Sequence, residues 1–160
     1  MNLLTPEELE AAFPLLTVFI FTLGACVGSF LNVVVWRLPH GKSLSSPPSH
    51  CPKCGHSIRA YDNIPMVSWL LLRGRCRDCQ APISMRYPIV ELSTALLFLA
   101  VWWRVNAIGL PYSVLPGWFF LSAALFAVAL TDIEFRVIPN KVTYTGMILA
   151  VMLAAILPRG

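Results

Sequence analysis

Cys51-Pro-Lys-Cys54 and Cys76-Arg-Asp-Cys79, followed by Arg86-Tyr-Pro-Ile-Val-Glu91, form the stretch on which the reading of the whole chain turns. A Cys-x-x-Cys pair folds into a tight turn that aims two sulfurs the same way, and two such turns offer four thiolates to one tetrahedral ion at about 2.3 Å. The 21 residues between the pairs lie just beyond the usual zinc spacing. Cys51, Cys54, Cys76 and Cys79 are therefore the candidate ligands of a structural Zn2+, because four protein ligands leave no open position for water or substrate. Two disulfides are the competing reading. A thioredoxin-like redox pair is a third, and no βαβ pattern surrounds either motif to support it. Gly55 and Gly74 flank the pairs and are expected to supply the positive φ that such turns need.

On both sides of this stretch the chain is apolar. Of its 160 residues 57% are hydrophobic and only 12% charged, where a soluble domain carries roughly 25% charge. The expected fold class is an all-α integral membrane protein, with about four transmembrane helices and a small cytoplasmic zinc-knuckle loop domain built on the four cysteines. Residues 1–12 are expected to form a tail outside the cytoplasm, 13–36 the first span, 37–87 the zinc-binding loop, and 88–160 further helices at about 88–105, 117–131 and 142–157. The third span is short, so its end is expected to borrow neighbouring residues or face a polar cavity. Trp102 and Trp103 suit an interfacial belt.

Leu23-Gly-Ala-Cys26 is similar to a lipoprotein cleavage box, but Glu7, Glu8 and Glu10 stand where a signal peptide carries basic residues, and the apolar run continues past Cys26. Gly24 and Gly28 make a small-x-x-x-small face, expected to pack inside the bundle rather than to dimerise. Eight of the twelve Lys and Arg residues lie from Arg37 to Arg86, and two more are Arg136 and Lys141. The positive-inside rule then places the cysteine loop and the turn from Asp132 to Lys141 in the cytoplasm, with both chain ends outside. Much of this basic character suits an anionic lipid surface. With no aromatic stacking platform or nucleic-acid module, nucleic acid is not an expected partner.

Asp132, in Leu130-Thr-Asp-Ile-Glu-Phe-Arg-Val-Ile-Pro-Asn140, sits at or just inside the end of the third span. An acid at that depth is costly and so is a functional candidate; the bland alternative is an ion pair with Arg136 one turn on. Glu134 points elsewhere on a helix. Two carboxylates held a few ångströms apart share a proton and can activate water, yet Glu91 is the only other deep acid, and it could pair with Arg86 instead.

These pieces occur in order with Gly28-Ser-Phe-Leu-Asn32, Arg37-Leu-Pro39, Cys-Gly-His56, Tyr61-Asp-Asn-Ile-Pro65, Ser68-Trp69, Pro82-Ile-Ser84 and Arg86-Tyr-Pro88. Jointly they resemble the N-terminal portion of the bacterial prepilin peptidases, the type IV prepilin leader peptidase and N-methyltransferase family, from about Gly28 to Lys141. The resemblance implies a multi-pass enzyme of the bacterial inner membrane. Such an enzyme is an aspartic endopeptidase that cuts the leader from type IV prepilins or type II secretion pseudopilins, then methylates the new terminal amine with S-adenosyl-L-methionine. It further implies that Asp132 is the first of two catalytic aspartates, that the four cysteines bind metal, that residues 37–87 belong to the methyltransferase region and that 88–160 begin the peptidase domain. The second aspartate would lie in a Gly-x-Gly-Asp segment, which these 160 residues lack, so an N-terminal fragment is expected. The alternatives are a non-catalytic, membrane-anchored zinc-loop protein that binds pilins or assembly components, and a methyltransferase-only fragment.

No glycine-rich nucleotide fingerprint marks the cofactor site. Glu91, Asp62 and His56 are the candidates for taking the proton of a methyl-accepting amine. His40 and His50 are expected to be solvated, and Tyr61 and Trp69 to pack a loop too small to hold itself together without metal.

Overall fold

Apolar runs of twenty residues and more satisfy their backbone in lipid by coiling into helices. The computed structural model describes residues 6–135, together with positions 146 and 148. Within residues 6–135 four α-helices follow in order: α1 Pro6–Arg37, α2 Val67–Leu71, α3 Arg86–Ile108 and α4 Leu115–Phe135. Among the described residues three spans are long and apolar enough to cross a membrane, Ala11–Arg37, Arg86–Ile108 and Tyr112–Phe135. The span expected at 142–157, and the proposed Asp132–Arg136 pair, lie outside the described residues.

The helices outrun their expected bounds. The described part of α1 starts at Pro6, upstream of position 13. It runs without interruption through Cys26, which is exposed on its flank. α3 stops at Gly109, whose φ of +68° lets its amide reach Asn106 O at 3.2 Å and the Leu110 amide reach Val105 O at 3.1 Å. α4 continues to Phe135, past the expected end at 131.

α1 and α3 pack most closely. A β-carbon on Gly24 would stand 2.7 Å from Ala95 Cα, and one on Gly28 would stand 2.7 Å from Glu91 Cα. The small-residue face is thus used within the bundle. α4 closes the other side, where Phe98 stacks on Phe119 at 4.5 Å. Trp102 departs from the expected belt: only 2% exposed, it stacks on Phe13 and Tyr112 and donates its indole N–H to Thr17 Oγ1 at 3.1 Å. Trp103, its neighbour on the helix, faces outward.

At the opposite end Trp36 and His40 from the α1 exit lie against Phe135 from the end of α4. His40 is therefore not merely solvated; it also bonds Trp36 O at 2.7 Å. The loop after α1, the start of α3 and the last turn of α4 share one end of the bundle.

Candidate metal centre and the acidic residues beside it

The two cysteine turns are built alike. In the first, the Cys51 amide donates to His56 O at 2.9 Å and the Gly55 amide to Cys51 O at 2.9 Å. In the second, the Cys76 amide donates to Ala81 O at 2.8 Å and the Gln80 amide to Cys76 O at 3.0 Å. The residue four past each leading cysteine carries the left-handed backbone, Gly55 at φ +74° and Gln80 at φ +59°. The positive φ expected at Gly55 and Gly74 is present at both, although in the second turn Gln80 rather than a glycine holds the position equivalent to Gly55. Gly74 precedes its turn, at φ +66°, and its missing β-carbon makes room for the Trp69 ring, which would otherwise stand 2.7 Å away.

The sulfurs of Cys51, Cys54, Cys76 and Cys79 all lie within 4.8 Å of one another, and those of Cys51 and Cys79 are 3.8 Å apart. A tetrahedron with bonds of about 2.3 Å has edges near 3.8 Å, so the donor set fits one zinc-sized ion. The amides of Cys54 and Lys53 point at the Cys51 sulfur and lower its pKa to about 6. Although the His56 amide favours the Cys54 thiolate, burial and the neighbouring sulfurs push that thiol up to about 12. Four sulfurs this close repel one another as thiolates, and a dication among them would offset that repulsion.

Around it, side chains join the two turns. Arg77 grips Asp62 through two bonds, 2.8 Å from Nε and 2.6 Å from Nη2, and these hold the Asp62 carboxyl below the usual carboxylate range. Arg77 and Arg59 both lie over the Tyr61 ring, and Arg59 pairs with Asp78 at 3.6 Å. Tyr61 is exposed, so it serves as a platform for arginines rather than as core. Trp69 does pack the loop, donating its N–H to Ile83 O at 3.2 Å.

The acids of the bundle end separate into distinct environments. Glu91 is buried, and its Oε2 accepts the Met66 amide at 2.7 Å. It does not pair with Arg86. Arg86 instead reaches across to Glu134 Oε2 at 2.7 Å and to Asn32 Oδ1 at 3.1 Å, tying α3 to α4 and α1. Asn32 in turn donates to Tyr87 O at 3.3 Å. Asp132 lies on the exposed side of the last turn of α4, next to buried Thr131, and is not ion-paired with any described residue. Glu91 and Glu134 are each bound elsewhere, to the Met66 amide and to Arg86. His56 is exposed and Asp62 is engaged by Arg77.

Sequence reasoning missed the bonds Arg86–Glu134, Glu91–Met66 and Asp62–Arg77. A buried asparagine in an otherwise uncharged span was the available signal for the first, because such a group must find a partner across helices.

The sequence profile of the bacterial peptidase A24 N-terminal domain matches residues 22–105. A prepilin leader peptidase/N-methyltransferase of Myxococcus xanthus (strain DK1622) is 48% identical over 152 residues, covering 94% of this chain and 44% of that protein. A type 4 prepilin-like proteins leader peptide-processing enzyme of Escherichia coli O78:H11 is 41% identical over 168 residues, covering 90% and 59%. A prepilin leader peptidase/N-methyltransferase of Aeromonas hydrophila is 43% identical, covering 79% and 50%. The chain thus spans about half the length of the curated relatives it matches. No solved structure matches it.

Proposed function

We propose, from the premise that this chain belongs to the bacterial peptidase A24 family of prepilin leader peptidase/N-methyltransferases, that it forms the membrane-embedded N-terminal part of an enzyme processing type IV prepilins or type II secretion pseudopilins. In this reading it resides in the bacterial inner membrane with the loop in the cytoplasm, where its arginines sit on the positive-inside side. Residues 37–87 hold one structural zinc on Cys51, Cys54, Cys76 and Cys79, and 88–160 belong to the peptidase membrane domain.

Asp132 supplies one carboxylate of an aspartic pair. One member of such a pair takes a proton from water as the other protonates the leaving amine, so a second carboxylate must face Asp132. S-adenosyl-L-methionine supplies the methyl group for the second reaction. Of the groups considered for taking the amine proton, Glu91 suits best, being buried at the bundle end, whereas Asp62 is neutralised by Arg77 and His56 is solvated.

The observation that supports this reading is the arrangement at one end of the bundle: the four-cysteine loop, the Glu91 contact and the Asp132 turn all emerge on the same face. A leader peptide cut by Asp132 would leave its new amine on the side where the loop stands. The test joins the chain to a continuation carrying Gly-x-Gly-Asp and supplies a prepilin peptide. Asp132→Asn is expected to abolish cleavage while zinc content stays at that of the parent. Cleavage persisting in that variant removes Asp132 from the mechanism.

A further inference from the structure

The short helix α2 is built inside out for a loop in water. Its polar residue, Ser68, is buried, accepting the Ile64 amide at 3.1 Å and donating to Tyr61 O at 2.9 Å. Trp69 turns toward Gly74 and Ile83. The aliphatic side chains face away from the protein: Val67 is 48% exposed, Leu70 66% and Leu71 78%. A solvated loop carries the opposite pattern, and this outer face suits an apolar medium.

The anchoring of α2 says where that medium is. Its N-cap residue is Met66, whose amide is held at 2.7 Å by the Glu91 carboxylate. Glu91 lies five residues into α3, roughly 8 Å along it at 1.5 Å per residue. The 23 residues of α3 give about 35 Å of helix for about 30 Å of hydrocarbon, which leaves the Glu91 Cα a few ångströms inside the hydrocarbon edge. Its side chain leans back toward the helix N-terminus, so Met66 sits close to that edge. Ile89 and Leu92, on the neighbouring turns of α3, are likewise exposed. Just past α2 come Arg73 and Arg75, both exposed and neither ion-paired with a described residue.

We propose that α2 lies in the lipid boundary of the membrane face from which the loop emerges, with Val67, Leu70 and Leu71 among acyl chains and Arg73 and Arg75 on anionic headgroup phosphates. The loop is then moored to the bilayer as well as to the bundle. The metal knuckles are held at a fixed height above the last turn of α4, independently of any protein partner. Long basic side chains beside a small apolar wedge are the pattern that anionic leaflets bind.

The test places a photoreactive benzoylphenylalanine at Leu71 in the full chain, reconstituted in nanodiscs of phosphatidylcholine with one-third phosphatidylglycerol. The exposed position His56 serves as the aqueous control. Lipid adducts at Leu71 are expected at five or more times the yield at His56. The same label at Leu70 repeats the measurement, so that misfolding of one variant leaves the other to decide. Adducts no more frequent than at His56, or adducts only to peptide from this chain or a second copy, overturn the proposal. Replacing Arg73 and Arg75 by glutamine is expected to lower the phosphatidylglycerol share of the Leu71 adducts at least twofold. An unchanged share overturns the assignment of the arginines to headgroups.

Discussion

Gly28→Leu tests the packing that carries the site. A β-carbon there would stand 2.7 Å from Glu91 Cα, 2.9 Å from Thr94 Oγ1 and 3.0 Å from Thr94 Cβ. None of these atoms can swing aside: the first is backbone, and Thr94 is fully buried with its hydroxyl bonded to Val90 O at 2.8 Å. Restoring ordinary contact at about 3.6 Å means separating α1 from α3 by roughly 1 Å, which forfeits up to half of each dispersion contact along the seam. Overpacking of this kind costs about 1–3 kcal/mol, and the remaining carbons of leucine push toward the upper figure. Better helix propensity returns about 0.8 kcal/mol. A net loss of about 2 kcal/mol lowers Tm by about 4–8 °C in a chain of this size, read by circular dichroism in detergent. Withdrawal of Glu91 should also speed hydrogen exchange at the Met66 amide. Cys26→Leu, on the exposed flank of α1, should leave both unchanged. A Gly28→Leu protein melting within about 1 °C of wild type, with Met66 still protected, refutes the close approach.

The other predictions concern the loop. Cys51→Ser or Cys76→Ser should lower bound zinc from one per chain to near zero by elemental analysis, and open residues 37–87 to limited proteolysis; retained stoichiometric zinc refutes the four-sulfur set. Gly74→Ala should loosen the second turn more than Gly55→Ala loosens the first, because both carry positive φ but only Gly74 is pressed by a ring. Equal effects on zinc affinity count against that difference. Because the folded pKa of Asp62 is depressed by Arg77, the stability it contributes is present above the unfolded pKa near 4 and is lost as pH falls through the lower folded value. Asp62→Asn should therefore exchange amide hydrogens faster than wild type around Arg77 at pH 6, with the gap closing below pH 4. A gap that does not narrow at all as the pH falls below 4 rules out the carboxylate as its source.

Periodicity had little part in what could be read here; length, hydropathy and residue spacing did most of it. A run such as 13–36 can only be a helix in lipid, whatever it packs against. The alternation of charge along the chain likewise puts the ends of α1 and α4 on one side, as the contacts of Trp36 and His40 with Phe135 show. Harder to read were the exact partners. Arg86 stands five residues before Glu91, and local spacing pairs the two, yet the residue that meets Arg86 is Glu134, 48 positions away. The same holds for Trp102, whose place on the helix suits either a membrane belt or a packed core, a choice made only by the position of α1.

The amino-acid order alone therefore determined the class of the protein, its apolar spans and the identity of four sulfurs able to meet, because each rests on short-range chemistry: hydropathy over one span length, and two Cys-x-x-Cys turns. Only the tertiary structure decided which acid is buried, which is paired and which is exposed, and that α2 turns its leucines outward. Those outcomes depend on which helices lie side by side, and a carboxylate cannot show its neighbour across the bundle until the chain has folded.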